Sequence, residues 1–209
     1  VRLPDQTRQQ PTDPNTTKTP WKLYPDASEI PPRIDQNKLE TAISQAFQES
    51  TPSAPKRTRA IVVVKDGWVV AECYAVGITP QTPLIGWSMT KSITHALIGI
   101  GVQRGELQLN EPLLLPEWRT DNDARQMITL DHLLRMNSGL AFDERTRSLD
   151  SDLVNMLTQE ANTGRFASNK PLTGKIGRDW SYSSGTTNIL SRGLRLAINN
   201  DSDYWSYPY

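Results

Sequence analysis

Ser88-Met89-Thr90-Lys91 places a hydroxyl and an amine three positions apart. A helix turns about 100° per residue, so side chains at that spacing are surface neighbours. A serine hydroxyl is a poor nucleophile until something takes its proton, and a neutral lysine amine one turn away can do so. The pattern alone is not specific. Ser53-Ala54-Pro55-Lys56 satisfies it as well, but that stretch lies in a proline-containing linker that cannot present a helical face.

The elements around Ser88 therefore have to carry the argument. A helix is predicted from Ser88 to about Arg104, with Gly105 as its C-terminal cap. Its apolar residues Met89, Ile93, Ala96, Leu97, Ile98, Ile100 and Val102 spread over most of its circumference, which predicts a buried helix. Serine at a helix start is also a favoured N-cap, so Ser88 has a purely structural alternative. Lys91 shifts the balance. Its place in the first turn sets a cation at the positive end of the helix dipole, and such local conflicts gather at functional sites. The same surroundings favour a neutral amine, the form that can accept a proton.

A third element is Trp180-Ser181-Tyr182-Ser183-Ser184-Gly185-Thr186, a hydroxyl-rich loop entering a further helix. Tyr182 could stand over the Ser–Lys pair and pass a proton to a leaving group; the alternative is a serine-rich helix entry and nothing more. Two other catalytic readings fail. Gly86-Trp87-Ser88-Met89-Thr90 has a threonine where a nucleophile elbow needs its second glycine. His95 lies two turns from Ser88 on the same helix, and nothing in the sequence brings His132 to it.

Lys+Arg and Asp+Glu both number 23, giving zero net charge without a basic stripe, so nucleic acid is not an expected partner. No run of about 18 apolar residues is present, so no membrane span is expected. His95, His132 and the lone Cys73 are scattered without ligand-like spacing, so neither a metal nor another cofactor is expected.

Along the chain, residues 1–34 carry seven prolines among polar residues and read as an extended arm, with Trp21 and Tyr24 as anchors. A helix follows from Asp35, with Leu39, Ile43, Ala46 and Phe47 on one stripe. Residues 60–65 and 68–74 flank Asp66-Gly67 as β-branched apolar runs, which predicts a hairpin with a tight turn. Residues 35–104 are thus read as an α/β part holding the hairpin 60–74 and the nucleophile helix 88–104. Residues 105–209 are read as a mostly helical subdomain, with helical pieces at 130–136, 151–160 and 186–198.

Gly86-Trp87-Ser88-Met89-Thr90-Lys91-Ser92, Arg104-Gly105-Glu106-Leu107, the block Ile128 to Leu140 and Tyr182-Ser183-Ser184 follow one another in an order that resembles the serine β-lactamase and penicillin-binding-protein superfamily. Within it, the sequence is most similar to class C-like hydrolases related to 6-aminohexanoate-dimer hydrolase. The resemblance implies an α/β (α+β) fold, with an antiparallel sheet flanked by helices and a mostly helical subdomain. It also implies a serine hydrolase that cleaves a small-molecule amide or ester through an acyl-enzyme. Ser88 would be the nucleophile, Lys91 the general base and Tyr182 the proton relay, with the Ser88 N–H in the oxyanion hole. Ser184 stands where many relatives have asparagine and is a candidate substrate-binding residue; His132 and Ser138-Gly139-Leu140 are expected to be structural.

The superfamily's third motif, a Lys-Thr-Gly strand, is not found, because Leu172-Thr173-Gly174-Lys175 precedes Tyr182 in a loop. The chain is therefore expected to be the N-terminal portion of a longer protein, with the remainder beyond Tyr209 completing the fold and the site. A periplasmic or secreted location is expected, with the cytoplasm as alternative. The competing functional class is a non-catalytic peptidoglycan- or partner-binding module that retains the fold.

Overall fold

The computed structural model describes residues 34–49, 51–66, 68–113 and 115–207. The arm with Trp21 and Tyr24 lies outside them, apart from Ile34, as do the turn residue Gly67 and the terminal Pro208-Tyr209. The chain divides into two compact units, residues 1–84 and 85–209.

In the first unit, α1 (Gln36–Phe47) begins where sequence placed it. The Asp35 side chain caps it by accepting from the Lys38 N–H at 3.1 Å. Its stripe turns Ile43 fully inward. The segment after α1 is pinned back onto its end, since Thr58 Oγ1 donates to the Ala46 carbonyl and Lys56 Nζ to that of Gln45, both at 2.7 Å. That disposes of Ser53 and Lys56 as a catalytic pair, because neither is helical and the amine already serves a carbonyl. β1 (Ala60–Lys65) and β2 (Trp68–Tyr74) pair antiparallel from Ala60↔Tyr74 to Lys65↔Trp68, with a bulge between Val63 and Val64. Asp66 takes φ of 51°, the left-handed conformation a two-residue hairpin turn requires.

The second unit is helical. α2 (Thr90–Gln103), α3 (Leu130–Leu134), α4 (Asp152–Thr158), α5 (Thr163–Ser168), α6 (Ser184–Ile198) and α7 (Asp201–Ser206) are joined by loops and short 3₁₀ turns. α6 is the axis, packing against α2, α3, α4, α5 and α7. Its inward residues Ile189, Leu190 and Leu194 join Ile98, Leu107, Leu115, Trp118, Ile128, Leu130, Leu133, Leu140, Met156 and Ala167 in one core. α5 and α7 were not foreseen. Each is six residues long, too short to print a helical period, and α5 holds its place by packing rather than propensity.

α2 departs from expectation. Only Ile98 and Gly101 are buried, while Met89 is 72% and Ile93 62% exposed. Within its unit the helix has one packed side, facing α6, so its apolar circumference is only partly used. The expected sheet with flanking helices is likewise reduced: among the described residues the sheet has two strands, β1 and β2.

Close approach of α5 to α6 depends on Gly164. A Cβ there would stand 2.8 Å from Arg192 Cβ and 2.9 Å from the Asn188 carbonyl oxygen, a backbone atom that cannot step aside. Gly164→Ala is therefore expected to force the helices apart and destabilise this unit by about 1–3 kcal/mol. A denaturant titration followed by circular dichroism would show it, and an unchanged midpoint would contradict the packing described.

Candidate active site

Ser88 sits in a 3₁₀ turn, Trp87–Met89, that leads into α2. Trp87 immediately before it has φ of 45°, a left-handed conformation that is costly for a bulky residue. Strain of this kind persists only where surrounding structure imposes it, and it gathers at functional sites. The structural alternative for Ser88 is not realised. The cap position of α2 is Met89, with no side-chain capping bond, and the Ser88 hydroxyl is taken up by Lys91.

Lys91 Nζ lies 3.0 Å from Ser88 Oγ and 3.1 Å from Ser184 Oγ. It also stands 4.9 Å from the centroid of the Tyr182 ring. The hydroxyl, the amine, the phenol and the Ser184 hydroxyl named from sequence thus converge, bringing together residues 94 positions apart (88 and 182) through the packing of α2 on α6. The Tyr182 phenol is held below its ordinary value, first by the side-chain hydrogen bond with Ser88 and then by that with Lys91. Partial burial and the Glu144 carboxylate act in the opposite direction.

The loop carrying Tyr182 is tied on both sides to Met136. The Ser181 N–H donates to the Met136 carbonyl at 2.8 Å, and the Ser183 N–H to its thioether sulfur at 3.3 Å. Ser183 then caps α6, its hydroxyl accepting from the Thr186 N–H at 3.0 Å. Ser184 is consequently the first residue of α6, and its side chain points back towards α2.

Sequence reasoning missed Glu144. Its carboxylate accepts the Ser184 N–H at 2.8 Å and, through its other oxygen, the Ser184 hydroxyl. What brings it there is Gly185. A Cβ at that position would lie 2.5 Å from the Phe142 ring, so only glycine lets Phe142 seat against the first turn of α6. In sequence Glu144 looks like any acidic loop residue; the Phe142/Gly185 contact is the signal, and it exists only in three dimensions.

The histidines take other parts. His132 completes a capping box on α3, accepting the Thr129 N–H through Nδ1 at 3.1 Å while Thr129 Oγ1 accepts the His132 N–H at 3.2 Å. His95 is exposed and lines a cavity of about 130 Å³ with Lys91, Ser92, Leu134, Met136, Thr187 and Leu190. Gly139, with φ of 77°, approaches Gly174 so closely that a Cβ would meet its carbonyl oxygen at 2.7 Å. The Thr173 and Gly174 N–H groups donate to the Gly139 carbonyl, so both stretches are structural supports. Among the described residues no group of three or more His, Cys, Asp or Glu could hold a metal ion. No helix among them is long and apolar enough to cross a membrane.

The packing of α2 on α6 thus brings a tyrosine-bearing loop onto a Ser-x-x-Lys turn. The chain belongs to the Beta-lactamase family, whose model matches residues 45–197. Its fold is β-lactamase-like and partial, mostly helical with a small two-stranded sheet. It is similar to the crystal structure of a "putative beta-lactamase" from Bacteroides dorei DSM 17855, with a TM-score of 0.53 and 22% identity over 79% of this chain and 46% of that one. It is also similar to a "putative 6-aminohexanoate-dimer hydrolase" from Bacillus anthracis, with a TM-score of 0.55 and 18% identity over 81% of this chain and 46% of that one. The chain thus spans less than half the length of these solved structures. No curated protein matches it.

Proposed function

We propose that the chain carries the nucleophile half of a serine hydrolase acting on a small-molecule amide or ester. The observation that carries this reading is the 3.0 Å contact between Lys91 Nζ and Ser88 Oγ on a strained turn that leaves the hydroxyl without a capping duty. In the reaction, Ser88 Oγ bonds to the substrate carbonyl carbon as its proton moves to Lys91 Nζ. The tetrahedral adduct collapses by breaking the C–N or C–O bond, and the leaving group receives a proton by way of the Tyr182 phenol. Water then attacks the acyl-Ser88 ester, giving up a proton to the same relay and returning Ser88 to its hydroxyl form. The Tyr182 phenol is suited to this relay because its hydrogen bonds with Ser88 and Lys91 make its proton easier to release.

The test is covalent. Incubation with a fluorophosphonate is expected to add one phosphonyl group to the protein, seen by intact mass, and Ser88→Ala is expected to abolish the adduct. No adduct, or one that survives Ser88→Ala, overturns the reading.

A further inference from the structure

We infer that Glu144 is a positioning residue for the base: by engaging the Ser184 hydroxyl proton, its carboxylate leaves Ser184 Oγ able only to accept from Lys91, which turns the amine's proton-accepting side to Ser88. This inference rests on the reading of Ser88 as nucleophile and Lys91 as base.

A serine hydroxyl has one proton and two lone pairs, and an ionised carboxylate only accepts. The Ser184 proton is directed to Glu144 Oε1, while the N–H of the same residue donates to Oε2 at 2.8 Å. Ser184 therefore faces Lys91 Nζ, 3.1 Å away, with lone pairs alone. A neutral amine has two N–H donors and one lone pair. With one donor committed to Ser184 and the other to the Tyr182 phenol oxygen, the lone pair is left for the third neighbour, the Ser88 hydroxyl at 3.0 Å. After proton transfer the ammonium still finds Ser184 as acceptor, with the Glu144 charge one hydroxyl behind it. Glu144 also opposes the positive end of α6, a 15-residue helix whose first residue it clamps through both polar groups. Its neighbour Asp143 has other duties. The Asp143 carboxylate is held by Arg145, and its N–H donates to Asp152 Oδ2 at 2.9 Å. Without an ionised group at 144, the Ser184 hydroxyl is free to donate to the Lys91 lone pair and compete with Ser88.

A double-mutant cycle separates this role from helix capping. Glu144→Gln keeps the shape and an acceptor for the Ser184 N–H, but its amide can donate to Ser184 Oγ. It is expected to slow fluorophosphonate labelling of Ser88 on the order of 10–100-fold, a part of what general-base catalysis contributes. In a Ser184→Ala background the same change is expected to alter the rate less than about twofold, because the group it acts through is gone. Equal slowing in both backgrounds, or none in either, overturns the inference. Glu144→Asp, which keeps the charge but shortens the reach, is a second variant with the same expected dependence on Ser184, should Glu144→Gln fold poorly. If the parent protein takes no label at all, the proposed function fails. The same four proteins are then compared by the rate at which trinitrobenzenesulfonate modifies Lys91, read by peptide mass spectrometry. A Glu144→Gln effect present only with Ser184 supports the inference there too, and one independent of Ser184 overturns it.

Discussion

Replacing Lys91 with methionine is expected to slow fluorophosphonate labelling of Ser88 by about 10²–10⁴-fold, the range a positioned general base contributes. The expectation rests on geometry, since Lys91 Nζ is the only side-chain nitrogen for which a hydrogen bond to Ser88 Oγ is found among the described residues. Methionine preserves the length and the apolar stem of the side chain, so the exchange removes the amine with little change in packing. Lys91→Arg is the sharper variant. Guanidinium keeps the positive charge and the reach to Ser184, but it cannot give up its proton at any working pH. If Lys91 acts as a base, the arginine variant should be about as slow as the methionine variant. If it acts only as a cation near the developing oxyanion, Lys91→Arg should retain most of the parental rate, and the base assignment is then wrong.

The same residues show how far a single sequence reaches. The Ser-x-x-Lys spacing, the hydroxyl-rich loop at 180–186 and the apolar runs around Asp66 were all legible because they are local. Spacing along one helix fixes the Ser88–Lys91 neighbourhood, and β-branched alternation fixes a hairpin, without reference to the rest of the chain. The start of α6 was placed two residues late, at Thr186 instead of Ser184, because any of several serines could cap it and only the Ser183–Thr186 bond decides. Glu144 was invisible for a different reason. Its approach to Ser184 depends on Phe142 lying in the space that glycine leaves at 185, a contact between residues 43 apart. The expectation of a fully buried α2 erred in the opposite direction: apolar composition states what a helix is able to bury, and packing decides what it does bury. In this unit α6 covers one side, and Trp87, Met89 and Ile93 stay exposed.

Removing Arg192 is expected to have the largest effect on stability. Its guanidinium forms a two-pronged pair with Glu117, in which Nη1 meets Oε1 and Nη2 donates to Oε2 at 2.9 Å. The Arg192 side chain is 17% exposed and that of Glu117 13%. The Ser168 hydroxyl also donates to Glu117, and the Ser168 carbonyl accepts from Trp118 Nε1 at 2.7 Å and Arg125 Nη1 at 3.0 Å. The pair therefore ties α6 to the end of α5 and to the turn bearing the fully buried Trp118. Arg192→Met leaves a largely buried carboxylate without its cation, for which a loss of about 3–5 kcal/mol is expected. The double variant Glu117→Leu/Arg192→Met should recover much of that loss, since what destabilises is the uncompensated charge rather than the absence of a pair.

The pH dependence gives an independent check on the same pair. Burial acts to raise the Glu117 carboxyl, but hydrogen bonds from Arg192 and Ser168 outweigh it and hold the group below its ordinary value of 4.5. A carboxyl depressed on folding contributes stability that is fully present above 4.5 and is lost as pH falls through the folded value. In Arg192→Met the guanidinium's hydrogen bond and charge are gone and only the bonds from Ser168 and the backbone still act against burial, so the carboxyl rises and its contribution shrinks. Acidification therefore costs the variant less stability than it costs the parent. The stability gap between parent and Arg192→Met, measured by urea denaturation, should be widest at neutral pH and narrow on acidification below 4.5. A gap that stays constant across that range would mean that Arg192 holds α5 and α6 together by its packed stem, and that its charge contributes nothing measurable.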